Sequence, residues 1–172
     1  MPSSGDQAAT ILAAWGTNHR VTVFLVNHLS SGIWTAHVPG TQRKAVRMLA
    51  GHVHNARCTW LKTLGSPLGI EVPALVDRQK VSRRELITAL HRSSRGIEEL
   101  LKLGCSSGGS VPASPGYIWR NLPLDVGHVL TYFVDHEAHH RGQIVLVARQ
   151  IGARLPAAVT AGLWQWTKRG AT

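Results

Sequence analysis

The chain is short of acid, of cysteine and of long apolar runs, and each shortage excludes something. Nine Asp and Glu stand against nineteen Lys and Arg, a formal net charge of +10 with a sequence pI near 10.8. Such an excess suits an anionic partner, either a nucleic acid or a small anion. The basic residues are scattered from Arg20 to Arg169, however, and stand adjacent only as short pairs such as Arg83-Arg84 and Lys168-Arg169. Without a clustered stripe or interleaved aromatics the pattern argues against nucleic-acid binding and for a soluble basic enzyme. The two cysteines, Cys58 and Cys105, form no CxxC pair, and the N-terminal MPSSGDQAAT has neither the basic head nor the apolar stretch of a signal peptide. A reducing cytoplasm is the expected location. Apolar stretches are broken by His, Arg or Gly well before the roughly 18 residues that a membrane span needs. No useful strand-like alternation and no fixed-period repeat is present.

Helical periodicity is plentiful. At 172 residues, 44% hydrophobic and 16% charged, one core and one domain over 1–172 are expected. Residues 6–29 place Ile11, Trp15, Asn18, Leu25 and Leu29 near one face. Residues 41–64 place Val46, Leu49, Val53, Ala56 and Trp60 on a stripe with His52 at its edge. Ser82-Arg83-Arg84-Glu85 has the form of a capping box and predicts a helix carrying Leu86, Leu90, Ile97 and Leu101 inward. LGCSSGGSVPASPG reads as a long loop, of the kind that borders functional sites. A fourth helix is expected from Pro123, a first-turn residue, to Ile151, with Gly152 as its stop. LPAAVTAGLWQWTKR adds a short helix. The sum is an all-α four-helix bundle with a short C-terminal helix.

The chemistry concentrates in VDHEAHHRGQI, residues 134–144. His136 and His140 are four apart, so both imidazoles reach one side of a helix and can share one ion. Their stripe includes Val129, Phe133, Gln143 and Val147 and is expected to face the interior. Two ligands bind weakly, and His52 is the expected third. His54 is rotated about 200° from His52 and cannot point to the same place, and His139 is expected beside the site or at the surface. The same letters satisfy H-E-x-x-H, the zinc-protease signature. The extended form fails, because Gly142 comes only two residues after His140 and no histidine follows. Glu137 reads as an outward acid pairing Arg141 at i,i+4. Cys58 reads as core, and Trp119, Trp164 and Trp166 as core or lid.

HEAHHRGQI at the end of an apolar helix resembles the H-x-x-x-H-R-G-Q segment of the DinB/YfiT-like family of small four-helix-bundle metalloproteins. RMLAGHVHNARCTWL resembles that family's second-helix segment, a histidine followed by an aromatic-leucine pair, here Trp60-Leu61. The resemblance implies a divalent metal on His52, His136 and His140, zinc or nickel first and iron or manganese next, with open positions for water or substrate. It implies Arg141, Gly142 and Gln143 as structural companions, glycine allowing close helix approach. Catalytic side chains are not assigned. The implied activity is thiol-dependent transfer to, or hydrolysis of, a small-molecule substrate, with a low-molecular-weight thiol as cosubstrate. A homodimer is the expected assembly. A non-catalytic metal-binding or dimeric interaction module is the alternative, and a DNA-associated basic protein a weaker one.

Overall fold

The computed structural model describes residues 4–115, 117 and 121–170, and Trp119 lies outside them. Seven α-helices are present and no strand among the described residues. They are α1 (Ser4–His28), α2 (Ser31–Thr35), α3 (Val46–Trp60), α4 (Arg83–Ser106), α5 (Val126–Gln150), α6 (Ala157–Gly162) and α7 (Trp166–Gly170). Helices α1, α3, α4 and α5 pack as the bundle. A π-helical turn, Leu61–Gly65, and a 3₁₀ turn, Ser66–Leu68, carry the end of α3 into an extended strap that leads to α4.

Local chemistry sets most of the ends. Ser82 caps α4: its Oγ accepts from Glu85 N at 3.2 Å, and the Glu85 carboxylate accepts from Ser82 N at 2.8 Å, which satisfies two otherwise orphaned donors. Helix α4 extends through Leu103-Gly104-Cys105-Ser106, residues expected in the loop. Gly104 is buried under Val111 and Val126, and a Cβ there would stand 2.5 Å from Val126 Cγ1, so packing across this end holds the last turn helical. Helix α5 begins three residues later than Pro123 suggested, because Asp125 is its cap and accepts from His128 N at 3.1 Å. Gly152 adopts φ 75° just beyond the helix end, the left-handed conformation that favours glycine. Arg169 sits 3.7 Å above the Phe24 ring and docks α7 on α1. Trp164, shortly before this dock, is 83% exposed, so it is not core; Trp166 is also exposed, and the two line a surface cavity beside Val145 and Leu146.

The interior is divided along its length. One apolar half gathers Leu25, Leu29, Val46, Val53, Leu86, Leu90, Ile144 and Val147, and the other Trp15, Trp60, Leu61, Leu64, Ile97, Leu101, Val129 and Phe133. Between them every bundle helix contributes buried polar side chains: Asn18, His19 and Thr22 from α1, Arg57 from α3, Ser93 and Ser94 from α4, Glu137 and Arg141 from α5. Glu137 is 0% exposed. Its Oε1 accepts from Arg57 Nε at 2.7 Å, and its Oε2 accepts from Thr22 Oγ1 at 2.7 Å and from Asn18 Nδ2 at 3.0 Å. Arg141 Nη1 donates to Asn18 Oδ1 and Thr22 Oγ1 and lies 3.7 Å from Glu137 Oε2. The expected i,i+4 pair therefore forms, but it points inward. Arg57 also donates to Leu90 O and faces Trp15 at 4.8 Å, which leaves its buried Nη2 as the donor without a hydrogen-bond partner; a buried pair is sustained by such bonds to its remaining donors and acceptors.

Candidate metal centre

His136 and His140 lie one position off this buried line on α5, and half-buried rather than interior. The centre of the stripe runs through Val126, Val129, Phe133, Glu137, Arg141 and Ile144, which turns the histidines about 100° away, toward α3. There His52, also half-buried, completes the group, with ring centroids 5.2 Å from His136 and 4.7 Å from His140. One nitrogen from each ring falls within 4.8 Å of the others. The three residues nominated by spacing are brought together.

Tautomers define the donor set. His140 Nδ1 lies 2.8 Å from Gln143 Oε1 and must donate to it, which leaves Nε2 as a lone pair. That Nε2 stands 3.2 Å from His136 Nε2. Two nitrogens bound at 2.0–2.1 Å to one ion stand roughly 2.9 Å apart at a right angle and roughly 3.4 Å apart at a tetrahedral one. The observed separation falls inside that range, so the His136–His140 pair fits a first-row divalent ion, with a His52 nitrogen within 4.8 Å of both as the third donor. Gln143 also donates from Nε2 to His139 Nε2 at 2.9 Å, so His139, exposed, acts on the site through Gln143. The Tyr132 ring lies parallel to His136 within 11°, 6.1 Å away, and its hydroxyl accepts from Trp60 Nε1. Tyr132, backed by Trp60, thus stands between His136 and the second apolar half.

Burial is the first cause holding all three rings below the usual histidine range, and repulsion from triad partners adds to it for His52 and His136. For His136 the value falls to about 4, with His140 and His52 the next causes. For His52 the causes after burial are His140, Arg78 and Lys44, and for His140 the Gln143 bond opposes the shift. Neutral imidazoles are the ligand form.

The other candidates are excluded by their partners. His54 is fully buried, bonded through Nε2 to Ala74 O at 3.0 Å and through Nδ1 to Ser93 Oγ at 3.1 Å. Cys58 is buried beside it, and burial pushes its thiol up to about 11, so it is core, as expected. Glu137 has both oxygens engaged in the polar layer, so it cannot activate water as the acid of an H-E-x-x-H protease does; the Glu137 carboxylate is interior, not outward. Gly142 is exposed with nothing within 4 Å of a Cβ, which overturns its expected part in close helix approach.

A family model described as DinB family matches residues 1–170. The chain belongs to the DinB family. This DinB-family chain is also similar to the uncharacterized protein YrdA of Bacillus subtilis (strain 168), at 23% identity over 117 residues, 68% of each chain. No solved structure matches it. Family membership and the histidine group together fit a metal-binding DinB-like protein. No helix among the described residues is long and apolar enough to cross a membrane.

Sequence reasoning missed the polar layer, though a signal was present. Arg57 stands four residues after Val53, and Glu137 four after Phe133, both on apolar stripes. Opposite charges at core positions of two helices imply a buried pair.

Proposed function

We propose that the protein is a divalent-metal-dependent enzyme whose ion is held by His52, His136 and His140, and that it acts on a small-molecule substrate with a thiol or water as nucleophile. The observation that carries this reading is the 3.2 Å approach of two Nε2 atoms, one of them fixed as a lone pair by Gln143. A bound divalent ion would supply Lewis acidity, easing loss of a proton from a thiol or water held there. The chain's own residues set the conditions. Three neutral imidazoles leave the ionic charge undiminished, whereas a carboxylate ligand would cancel part of it. Gln143 keeps His140 in one tautomer and one orientation, and a second-shell partner of this kind supports ligand basicity. Tyr132 and Trp60 put an apolar wall behind His136, which strengthens electrostatic effects on that side.

Thiol-dependent transfer is favoured over hydrolysis because Glu137, the obvious general base for water, is committed to the interior, whereas a thiol needs less help to ionise. Zinc or nickel suits three imidazoles, and iron or manganese follows. The test is elemental analysis of tag-free protein purified without chelator, beside His52→Ala and His136→Ala. Near-stoichiometric metal in the parent and loss in both variants supports the reading. A parent that carries no metal and takes up none on addition of zinc or nickel removes it.

A further inference from the structure

Helix α5 has a second open face, about 200° round from His140 at Gly142. Val134, Ala138, Gly142, Val145 and Arg149 follow one another there at three- and four-residue steps. With Thr160, Leu163, Trp164 and Trp166 across from them, they line a cavity of about 440 Å³, a volume usual for small-molecule sites. Gly142 keeps it open, since a Cβ there would meet nothing within 4 Å. Leu146 and both indoles are exposed at the same place, and a grouped apolar surface of this kind marks a binding face.

The cavity is also cationic. Arg141 and Arg149 line it, and no acid among the described residues does. Arg149 is exposed and makes no ion pair among the described residues. Arg141 is only 8% exposed and belongs to the polar layer as well. There Arg141 and Arg57 share the carboxylate of Glu137, and no other acid is buried among the described residues. The layer therefore holds one more positive charge than negative. Arg141 Nη1 is occupied by Asn18 and Thr22, whereas its Nε and Nη2 make no hydrogen bond among the described residues and, unlike Arg57 Nη2, are not sealed from solvent. A buried guanidinium with half a counter-charge and free donors is a strong partner for an added carboxylate.

We propose that this cavity binds a small amphipathic carboxylate, its apolar body against Val145, Leu146, Trp164 and Trp166 and its charge on Arg141 and Arg149. A second copy of the chain suits the face less, because a two-fold contact would set the same two arginines against themselves with no lining acid between them. The site stands whether or not the histidine group holds a metal.

The test titrates octanoate into the protein as purified and follows the indole N–H resonances of Trp164 and Trp166, assigned from Trp164→Phe and Trp166→Phe. Both should shift saturably, with octanoate roughly tenfold tighter than octanol, the worth of one charge-assisted contact. Acetate, with the charge and no apolar body, should be weaker than octanoate by roughly a hundredfold or more, and octylamine should be the weakest of the eight-carbon probes. Gly142→Leu fills the cavity without altering charge and should abolish the shift, which separates the cavity from the general pull of a chain of net charge +10 on anions. Arg149→Gln should weaken octanoate severalfold and leave octanol unchanged, and Arg141→Gln should weaken octanoate further; if the latter fails to fold, Gly142→Leu and Arg149→Gln decide. Equal affinities for octanoate and octanol, a shift that survives Gly142→Leu, or octanoate affinity unchanged by the arginine substitutions overturns the assignment. So do resonances that move with protein concentration instead of with octanoate, since a second copy then covers the face.

Discussion

His136 and Glu137 are neighbours in the chain, and so are His140 and Arg141, yet the two pairs belong to opposite kinds of site. Glu137 and Arg141 enter a polar layer in which both carboxylate oxygens are bonded. His136 and His140 enter a half-buried cluster in which a lone pair on one ring faces the nitrogen of the next at 3.2 Å. A buried network of this kind defines a structure; a half-buried group of imidazoles around an acceptor nitrogen offers donors that a cation fits. One residue along a helix is about 100° of rotation, and that rotation separates the role of holding four helices together from the role of presenting donors.

Swapping one residue in each region should break the comparison most sharply. Glu137→Gln leaves Arg57 and Arg141 buried without a counter-charge, and is expected to cost about 3–5 kcal/mol of stability in urea unfolding. His140→Ala should do the reverse: metal binding falls by roughly a hundredfold or more with loss of one ligand in three, while the metal-free protein loses less than about 1 kcal/mol, as at other partly exposed positions. If His140→Ala destabilises the metal-free chain as much as Glu137→Gln does, the triad is part of the structural core.

Gln143 joins the two kinds of site in miniature, since it is a satisfied amide whose purpose is to orient a ligand. Gln143→Ala should weaken metal affinity by about 10- to 100-fold with no comparable loss in thermal stability, measured by competition with a chromophoric chelator. An unchanged affinity would mean that His140 keeps its orientation without it.

The polar layer has a pH signature of its own. Arg57 Nη1 approaches His19 Nδ1 at 3.3 Å, and His19 Nε2 lies 3.0 Å from His91 Nδ1. Burial first, then Arg57, His91 and Arg20, lowers His19 to about 2. Below about 6.5 the unfolded chain takes up a proton that the folded one refuses, so stability rises with pH across this window and is lost on acidification. The slope from His19 is at most about 1.4 kcal/mol per pH unit, and metal-free His136 adds to it with the same sign between 6.5 and about 4. Melting temperature followed from pH 7 to pH 5 in chelator should fall, and His19→Asn should flatten the fall. A parent curve without slope would show that His19 is not held neutral.

Much of this was legible in the letters, and unevenly so. The capping box at Ser82, the stop at Gly152 and the inward Leu86, Leu90, Ile97 and Leu101 all follow from interactions within a few residues of chain, and the structure reproduces them. The start of α5 was misplaced because Pro123 and Asp125 are both acceptable first signals, and the side chain that bonds the helix amide decides between them. The triad was legible because i,i+4 spacing and the family pattern agree on residues. Its depth was not, since periodicity gives an apolar face but not which edge of that face lies at a helix–helix groove.

The sequence by itself determined an all-α chain, the capping box of α4 and the stop of α5, the DinB-family motifs and the identity of three histidines able to share an ion, because these depend on local spacing and on side-chain chemistry. Only the tertiary structure decided that Glu137 faces inward, that Arg57 meets it from 80 residues away, and that Arg78 packs across Gly51. Those outcomes depend on which helix faces are apposed. Burial makes a charge costly unless a distant partner arrives, and the pattern of a single helix does not state where that partner will come from.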